Sequence, residues 1–275
     1  MRFSALIDDP ESFNDLSLAA TSAVHFSENE TITLKILPDA IYFVCRTELR
    51  HTGYFMEIRL SETEIFSSYR MEGASTENNH IVMTMIGSEF VRLVKEVKDK
   101  VRLKLVKRNN QPMLNAEVKN EEDLSKFFPV TICKSTEIVD FLTPTINAPI
   151  VGLFIKQIDT FKDIIEAFIA LNIETVEMKL YPEGELHIKG ETESNSQYRI
   201  IFDELTFMEE IEGAEESDVF RIRVNDVYKF LGCIPAETKR FSIRVTDLNQ
   251  IVICVKHSNL EYYFYMSSVI PDSFY

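Results

Sequence analysis

The chain has 275 residues, of which 45% are apolar and 27% charged; this suits one large or two ordinary globular domains and excludes wholesale disorder. Lys and Arg number 29 against 44 Asp and Glu, a net charge of −15, so the chain does not hold nucleic acid with its whole surface. Glycines number only 8, where average usage gives about 19. They are scattered, with no G-x-G-x-x-G or G-x-x-x-x-G-K run to cradle a phosphate, which argues against P-loop and Rossmann enzymes.

Cys45, Cys133, Cys233 and Cys254 share no C-x-x-C spacing, and the histidines form no H-E-x-x-H or H-x-x-x-H pair. Free thiols in a reducing compartment are expected, with no metal and no cofactor. The opening Met1–Ile7 turns polar at Asp8-Asp9, and no run approaches the roughly 18 apolar residues of a membrane span. A nucleocytoplasmic protein without membrane contact is expected.

In chain order, a first helix is predicted over Pro10 to about Val24, with Asp9 as cap, Pro10 at the first helical position, and Phe13, Leu16 and Ala20 on one face. Thr31–Leu37 alternates polar and apolar like a half-buried strand, and Leu37-Pro38-Asp39-Ala40 reads as a hairpin turn. Phe55–Leu60 alternates in part. A second helix is predicted over about Ser88 to Val97, capped by Ser88, with Phe90, Val91, Val94 and Val97 inward. Lys95, Lys98, Lys100, Arg102, Lys104, Lys107 and Arg108 then form the densest basic stretch. Lys100, Arg102 and Lys104 share one face of an alternating strand opposite Val101, Leu103 and Leu105, so they read mainly as a wet strand face, with contact to an acidic partner as the alternative.

Asn109–Pro112 is a turn between strands. Pro129 to Pro149, with Pro144 between, reads as an extended crossover. A third helix covers about Ile158 to Leu171, with Ile158, Phe161, Ile164, Ile165, Phe168 and Ile169 as its stripe. Tyr181-Pro182-Glu183-Gly184 is a second hairpin turn. Six acids between Glu209 and Asp218 read as a solvated loop. A short fourth helix runs from about Asn225, its cap, to Leu231, followed by the alternating Phe241–Val245 and a turn at Asp247–Gln250.

The order of elements repeats. Pro38 and Pro182 mark the same hairpin 144 positions apart, and Ser88 and Asn225 the same helix start 137 apart. Two copies of one α+β unit follow, over 1–130 and 150–275, joined by a connector at 131–149.

On this duplicated unit, and on the block Phe66–Ile81 with its core Met71-Glu72-Gly73-Ala74-Ser75-Thr76-Glu77-Asn78-Asn79, the chain resembles the DNA sliding clamps, the family of proliferating cell nuclear antigen. Within that family it is similar to the Hus-one-type subunits of the nine-one-one checkpoint clamp. Met1–Ile7, Pro182–Leu186 and Tyr198–Leu205 support the match. The resemblance implies a non-catalytic subunit of a heterotrimeric ring around duplex DNA, acting in the DNA-damage checkpoint and in repair, in the nucleus and possibly also the cytoplasm. Its implied partners are two other clamp subunits, a clamp loader, duplex DNA, and repair and checkpoint proteins. Helices line such a ring and sheets wall it, so Arg92, Lys95, Lys98, Lys156, Lys162 and Lys229 become the DNA-facing candidates; the alternative for each is an ordinary solvated helix face. The first helix has no Lys or Arg and carries Glu11 and Asp15, and the third carries Asp159, Asp163 and Glu166, so weak DNA holding is expected of this subunit.

The resemblance also implies junctions between edge strands. Here these are Gln111–Val118, with Pro112, Leu114 and Ala116, and Ser196–Phe202, with Tyr198, Ile200 and Phe202. Partner docking is assigned to Ile138, Val139, Phe141 and Leu142 of the connector and Val269 and Ile270 of the tail, against ordinary packing of these residues on their own sheet. A homotrimeric replication clamp is the alternative assembly. A non-DNA binding module, or an enzyme using Glu72, Glu77, Asn78 and His80, is the remote alternative; for that block the competing reading is a turn in which Asn78-Asn79 take left-handed geometry.

Overall fold

A computed structural model describes residues 1–27, 30–47, 53–97, 99–119, 123–134, 136–208, 211, 215–246 and 250–269. Two compact units emerge. Unit 1 takes Met1–Cys45, Glu57–Thr143 and Ser258–Glu261; unit 2 takes Arg46–Met56, Pro144–His257 and the chain from Tyr262 on. The units are therefore not strictly sequential, and most of the connector, up to Thr143, belongs to unit 1.

Unit 1 is built from β1 (Arg2–Ile7), α1 (Pro10–Phe26), β2 (Thr31–Ile36), β3 (Ala40–Arg46), β4 (Tyr54–Ser61), the one-turn α2 (Glu62–Ile65), β5 (Ser68–Glu72), β6 (Ile81–Ile86), α3 (Gly87–Glu96), β7 (Lys100–Arg108), β8 (Gln111–Lys119), β9 (Asp123–Pro129) and β10 (Thr131–Ile132). One antiparallel sheet has the order β5-β1-β7-β8-β9, and a second runs β10-β6-β2-β3-β4. α1 starts as the sequence predicts: Pro10 opens it, and the Asp9 carboxylate accepts from the Ser12 N–H at 2.9 Å. The β7–β8 hairpin turns on Asn109 (φ 49) and Asn110 (φ 63), a left-handed pair that asparagine tolerates. Alternate residues of β1, Phe3, Ala5 and Ile7, are buried. Phe90 of α3 is fully buried between Phe43 of β3 (ring centroids 6.5 Å) and Phe128 of β9 (5.6 Å), so one helix side chain ties both sheets together.

Unit 2 repeats the plan with β11 (Pro149–Phe154), α4 (Ile158–Ala170), β12 (Thr175–Tyr181), β13 (Glu185–Glu191), β14 (Gln197–Phe202), β15 (Thr206–Phe207), β16 (Phe220–Arg223), α5 (Val224–Cys233), β17 (Arg240–Thr246), β18 (Gln250–His257) and β19 (Leu260–Ser267). Its sheets are β14-β13-β12-β16 and β19-β18-β17-β11-β15. Here Phe161 of α4 lies between Phe202 of β14 (6.0 Å) and Phe241 of β17 (5.6 Å), while Phe230 of α5 stacks on Phe264 of β19 (4.6 Å). The Tyr181–Gly184 hairpin needs its glycine: φ is +94°, and a Cβ there would lie 2.4 Å from the Leu205 carbonyl oxygen.

The two short helices correct a prediction. Neither Ser88 nor Asn225 is a cap; β6 and β16 run directly into α3 and α5, whose cap positions are Ile86 and Arg223 without a side-chain hydrogen bond. The backbone supplies a partner instead. The Gly87 N–H donates to the Glu30 carbonyl (2.7 Å), and the Val224 N–H donates to the Glu174 carbonyl (2.9 Å). Gly87 and Val224 stand 137 positions apart and Glu30 and Glu174 stand 144 apart, the two offsets of the sequence repeat. The same terminus is thus built twice by backbone groups, with glycine as donor in one copy and valine in the other.

Candidate functional site

Each unit presents a helix pair, α1 beside α3 and α4 beside α5. Inward positions are apolar: Phe90, Leu93 and Val94 on α3; Phe161, Ile165 and Phe168 on α4; Val227, Phe230 and Leu231 on α5. Leu93 was missed by the sequence stripe, and Val91 is only half-buried. Charge is left to the outward positions. On α3, Arg92 and Lys95 are exposed, alongside Glu89 and Glu96. Arg92 Nε lies 3.5 Å from Glu96, an exposed pair that constrains it weakly. On α4, Asp159, Asp163 and Glu166 are exposed and Lys162 is half-buried; Lys156 is exposed just before the helix. Lys229 of α5 is half-buried. Lys98 lies outside the described residues. The acids of α1 are less free than the sequence suggests: Asp15 is fully buried and accepts from Asn259 Nδ2 (3.2 Å), and Glu11 accepts from the Ser258 hydroxyl (2.9 Å).

The sheet edges require a second correction. Gln111–Val118 is not an edge, because β8 is hydrogen-bonded to β7 on one side and β9 on the other. Leu114 and Ala116 are fully buried core residues, and Pro112 is half-buried opposite Lys107. β9 is the outer strand of that sheet beyond β8, and β5 is the other. β9 carries Leu124, 52% exposed, and Phe127, over which the Arg108 guanidinium lies at 4.5 Å. In unit 2, β14 is an edge strand, and it leaves Tyr198 (39%) and Ile201 (48%) exposed. Ile200 is half-buried, and Phe202 is buried against Phe161. Self-protected edges carry charge and proline; β9 ends on Pro129 and β14 includes Arg199, yet both keep apolar side chains in water. The opposite edge of the same unit 2 sheet, β16, is covered by the chain's own tail: Val269 N–H donates to the Arg221 carbonyl (2.8 Å), and the Ser268 hydroxyl accepts from the Arg221 N–H (2.9 Å).

The family model described as Hus1-like protein matches residues 1–269. The chain belongs to the Hus1-like family. It is 26% identical to the human checkpoint protein HUS1 over 201 residues, 70% of each chain. Its fold is that of the sliding clamps. It superposes on proliferating cellular nuclear antigen from Entamoeba histolytica with a TM-score of 0.71 at 10% identity, covering 98% of this chain and 99% of that one. With the A. fulgidus PCNA solved with the C-terminal region of FEN-1, the TM-score is 0.66 at 12% identity over 98% and 99%.

In this Hus1-like chain the connector carries a 3-10 turn at Ile138–Phe141. Val139 is 69% and Leu142 46% exposed, whereas Ile138 and Phe141 are half-buried. Val269 is half-buried along β16, and Ile270 lies outside the described residues. The basic strand face is wet and largely paired: Lys104 Nζ contacts Glu117 at 2.9 Å and Lys100 Nζ lies 3.7 Å from Asp8. In the acidic loop Glu209, Glu210 and Glu212 fall outside the described residues. Glu215, Glu216 and Asp218 are exposed, and the strand beside them is tied down by buried Ser217, whose hydroxyl accepts from the Leu180 N–H.

The Met71–Asn79 block is a turn. Ala74 N–H donates to the Asn78 carbonyl (3.1 Å), Gly73 N–H to Asn79 Oδ1 (2.8 Å), and Asn78 N–H to the Ser75 hydroxyl (3.1 Å). A Cβ on Gly73 would lie 2.3 Å from the Asn78 carbonyl oxygen, so the glycine is set by close approach. Neither Asn78 nor Asn79 has positive φ, which corrects the expected left-handed geometry. Glu72 is bound by Arg70 (3.0 Å) and Arg2 (3.6 Å), and the Arg70 hydrogen bond holds its carboxyl below the usual range, the wrong direction for a general acid. On the exposed face of β12–β14, a cavity of about 360 Å³ is lined by Tyr181, His187 and Arg199, among others. Its polar groups are already matched: His187 Nε2 with Glu185 (2.8 Å), Arg199 with His187 Nδ1 (3.3 Å). Among the described residues, no group of three or more His, Cys, Asp or Glu could hold a metal ion.

Proposed function

We propose that the chain is a non-catalytic subunit of a heterotrimeric clamp that encircles duplex DNA and serves the DNA-damage checkpoint and repair in the nucleus. The observation that carries this reading is the pair of open edges, β9 and β14, each with apolar side chains left in water on a clamp fold. Such edges are completed by strands of neighbouring subunits, which removes unpaired backbone groups from water. Tyr198, Ile200 and Ile201 of β14, and Leu124 and Phe127 of β9, are the residues assigned to these junctions.

Arg92 and Lys95, both exposed, are the strongest DNA-facing candidates, with Lys156, Lys162 and Lys229 secondary, because Lys156 and Lys162 lie beside the exposed acids of α4 and Lys162 and Lys229 are half-buried. The exposed Val139 and Leu142, with Ile138 and Phe141, are the unit 1 candidates for contact with repair and checkpoint partners, and Val269 is a separate candidate in unit 2. A loader is required to open a closed ring.

The test is retention on DNA of different topology. The assembled clamp, loaded with its loader and ATP on nicked circular duplex, is expected to survive a high-salt wash and to be released when the circle is linearised. Salt-resistant retention on linear DNA, or none on circles, contradicts encirclement. A chain that forms a stable trimer by itself would favour the homotrimeric replication clamp.

A further inference from the structure

Beneath the connector, unit 1 buries an ion pair. Lys35 of β2 and Glu57 of β4 are 2% and 1% exposed, and the ammonium contacts the carboxylate directly. The ammonium also lies 4.5 Å from the Tyr42 ring centroid. Two charges removed from water are tolerated only if their remaining hydrogen-bonding capacity is met. The connector meets it. Thr143 Oγ1 accepts from Lys35 Nζ at 2.9 Å and lies 2.9 and 3.0 Å from the two Glu57 carboxylate oxygens, to which its hydroxyl donates. Thr143 itself is an exposed residue in an extended stretch. One surface hydroxyl thus closes the top of a buried salt bridge and pins the end of the connector to unit 1.

The residue after it is Pro144. Of the nine prolines in the chain, this is the only one preceded by serine or threonine. Residues 142–148 carry no helix or strand, and most are exposed, the extended, accessible form in which a kinase takes its substrate. A proline in the next position holds Thr143 in that extended form. We propose that Thr143 is both the latch of the connector and a phosphorylation site for a proline-directed serine/threonine kinase, and that phosphorylation releases the latch.

The step is a phosphoryl transfer. Thr143 Oγ1 attacks the γ-phosphorus of ATP, the bond to the β-phosphate oxygen breaks, ADP leaves, and the hydroxyl proton passes to the base of the kinase. The product has lost the proton it donated to Glu57 and has gained about 1.5 to 2 negative charges. Glu57 already occupies the space within 3.0 Å of that oxygen, and the single charge of Lys35 cannot balance both anions. Phosphothreonine therefore cannot reseat, and the connector loses its tie to unit 1 at Thr143.

The test uses the full chain and a proline-directed kinase chosen because it phosphorylates a free peptide of residues 137–149 at Thr143. The expected result is one phosphate on Thr143 of the folded chain, absent in Thr143→Ala, with exchange of the connector amides accelerated at least about tenfold after phosphorylation. Thr143→Val, which keeps the shape and removes the hydroxyl, is expected to accelerate the same amides without any kinase. The double variant Lys35→Met/Glu57→Leu removes the latch partners together and is expected to be phosphorylated faster than the parent chain. A folded chain left unmodified while the peptide is modified would overturn the site. Unchanged amide exchange in both phosphorylated and Thr143→Val chains would overturn the latch.

Discussion

The helix pairs of the two units share one interior and differ outside. In unit 1, α3 buries Phe90 between two sheets and turns Arg92 and Lys95 to water; in unit 2, α4 buries Phe161 between two sheets and turns Asp159, Asp163 and Glu166 to water. Packing holds the inner positions to large apolar side chains, because a missing ring leaves a cavity that the sheets cannot close. Nothing in packing constrains the sign of the outer charge. The two units therefore differ in the charge their helices show to water, Arg92 and Lys95 beside Glu89 and Glu96 on α3 and mainly acids on α4, and net charge says little about where DNA would be met.

The shared interior is the easiest half of this comparison to break. Phe90→Ala and Phe161→Ala should each cost about 3–5 kcal/mol in denaturant unfolding, with amide exchange rising first in the unit that carries the change. A smaller loss from one would mean that its ring is not a keystone of its unit. Lys35→Met alone strands the Glu57 carboxylate in the core and should cost about 3–5 kcal/mol, whereas Lys35→Met/Glu57→Leu should recover most of it; unit 2 has no such pair among its described residues, so this effect is specific to unit 1.

The differing exteriors predict opposite changes in DNA affinity of the assembled clamp. Arg92→Ala and Lys95→Ala should each weaken binding and lower the salt slope by about one. Asp159→Asn with Asp163→Asn should tighten it modestly, read by a salt titration of binding. The smallest effect at ordinary pH concerns Cys233 of α5. Burial pushes its thiol up from 9.0 to about 12. Between those values the unfolded chain gives up a proton that the folded chain keeps, so stability falls as pH rises from about 9 through 12. Cys233→Ser should flatten that part of the profile, and at pH 8 the folded thiol should resist alkylation.

Much of this architecture is legible in the chain. Asp9 and Pro10 announce α1, the alternating runs announce strands, and the offsets of 144 and 137 announce the duplication. What escaped is tertiary. Ser88 and Asn225 have the right chemistry for caps, but the Glu30 and Glu174 carbonyls come from distant turns and serve α3 and α5 instead. Gly87 is required because a Cβ would strike Val24 and Ile32 at 2.4 and 2.7 Å, contacts no local pattern reveals. The true edge β9 was hidden because Phe127-Phe128 breaks the alternation and Pro129 reads as the start of a linker, which moved the expected edge one strand back to β8. The Thr143 latch carried no signal beyond Thr-Pro, since its partners lie 108 and 86 positions away.

The central claim, that β14 is an edge awaiting a neighbouring subunit, is tested most directly by mass in solution. The chain of 31.8 kDa should be a monomer alone and should enter an assembly of roughly 95 kDa with two other clamp subunits. Ile201→Asp, at an exposed edge position, should abolish that assembly while leaving the monomer folded. A chain that stays monomeric with those subunits, or an Ile201→Asp chain that assembles as before, would contradict the account.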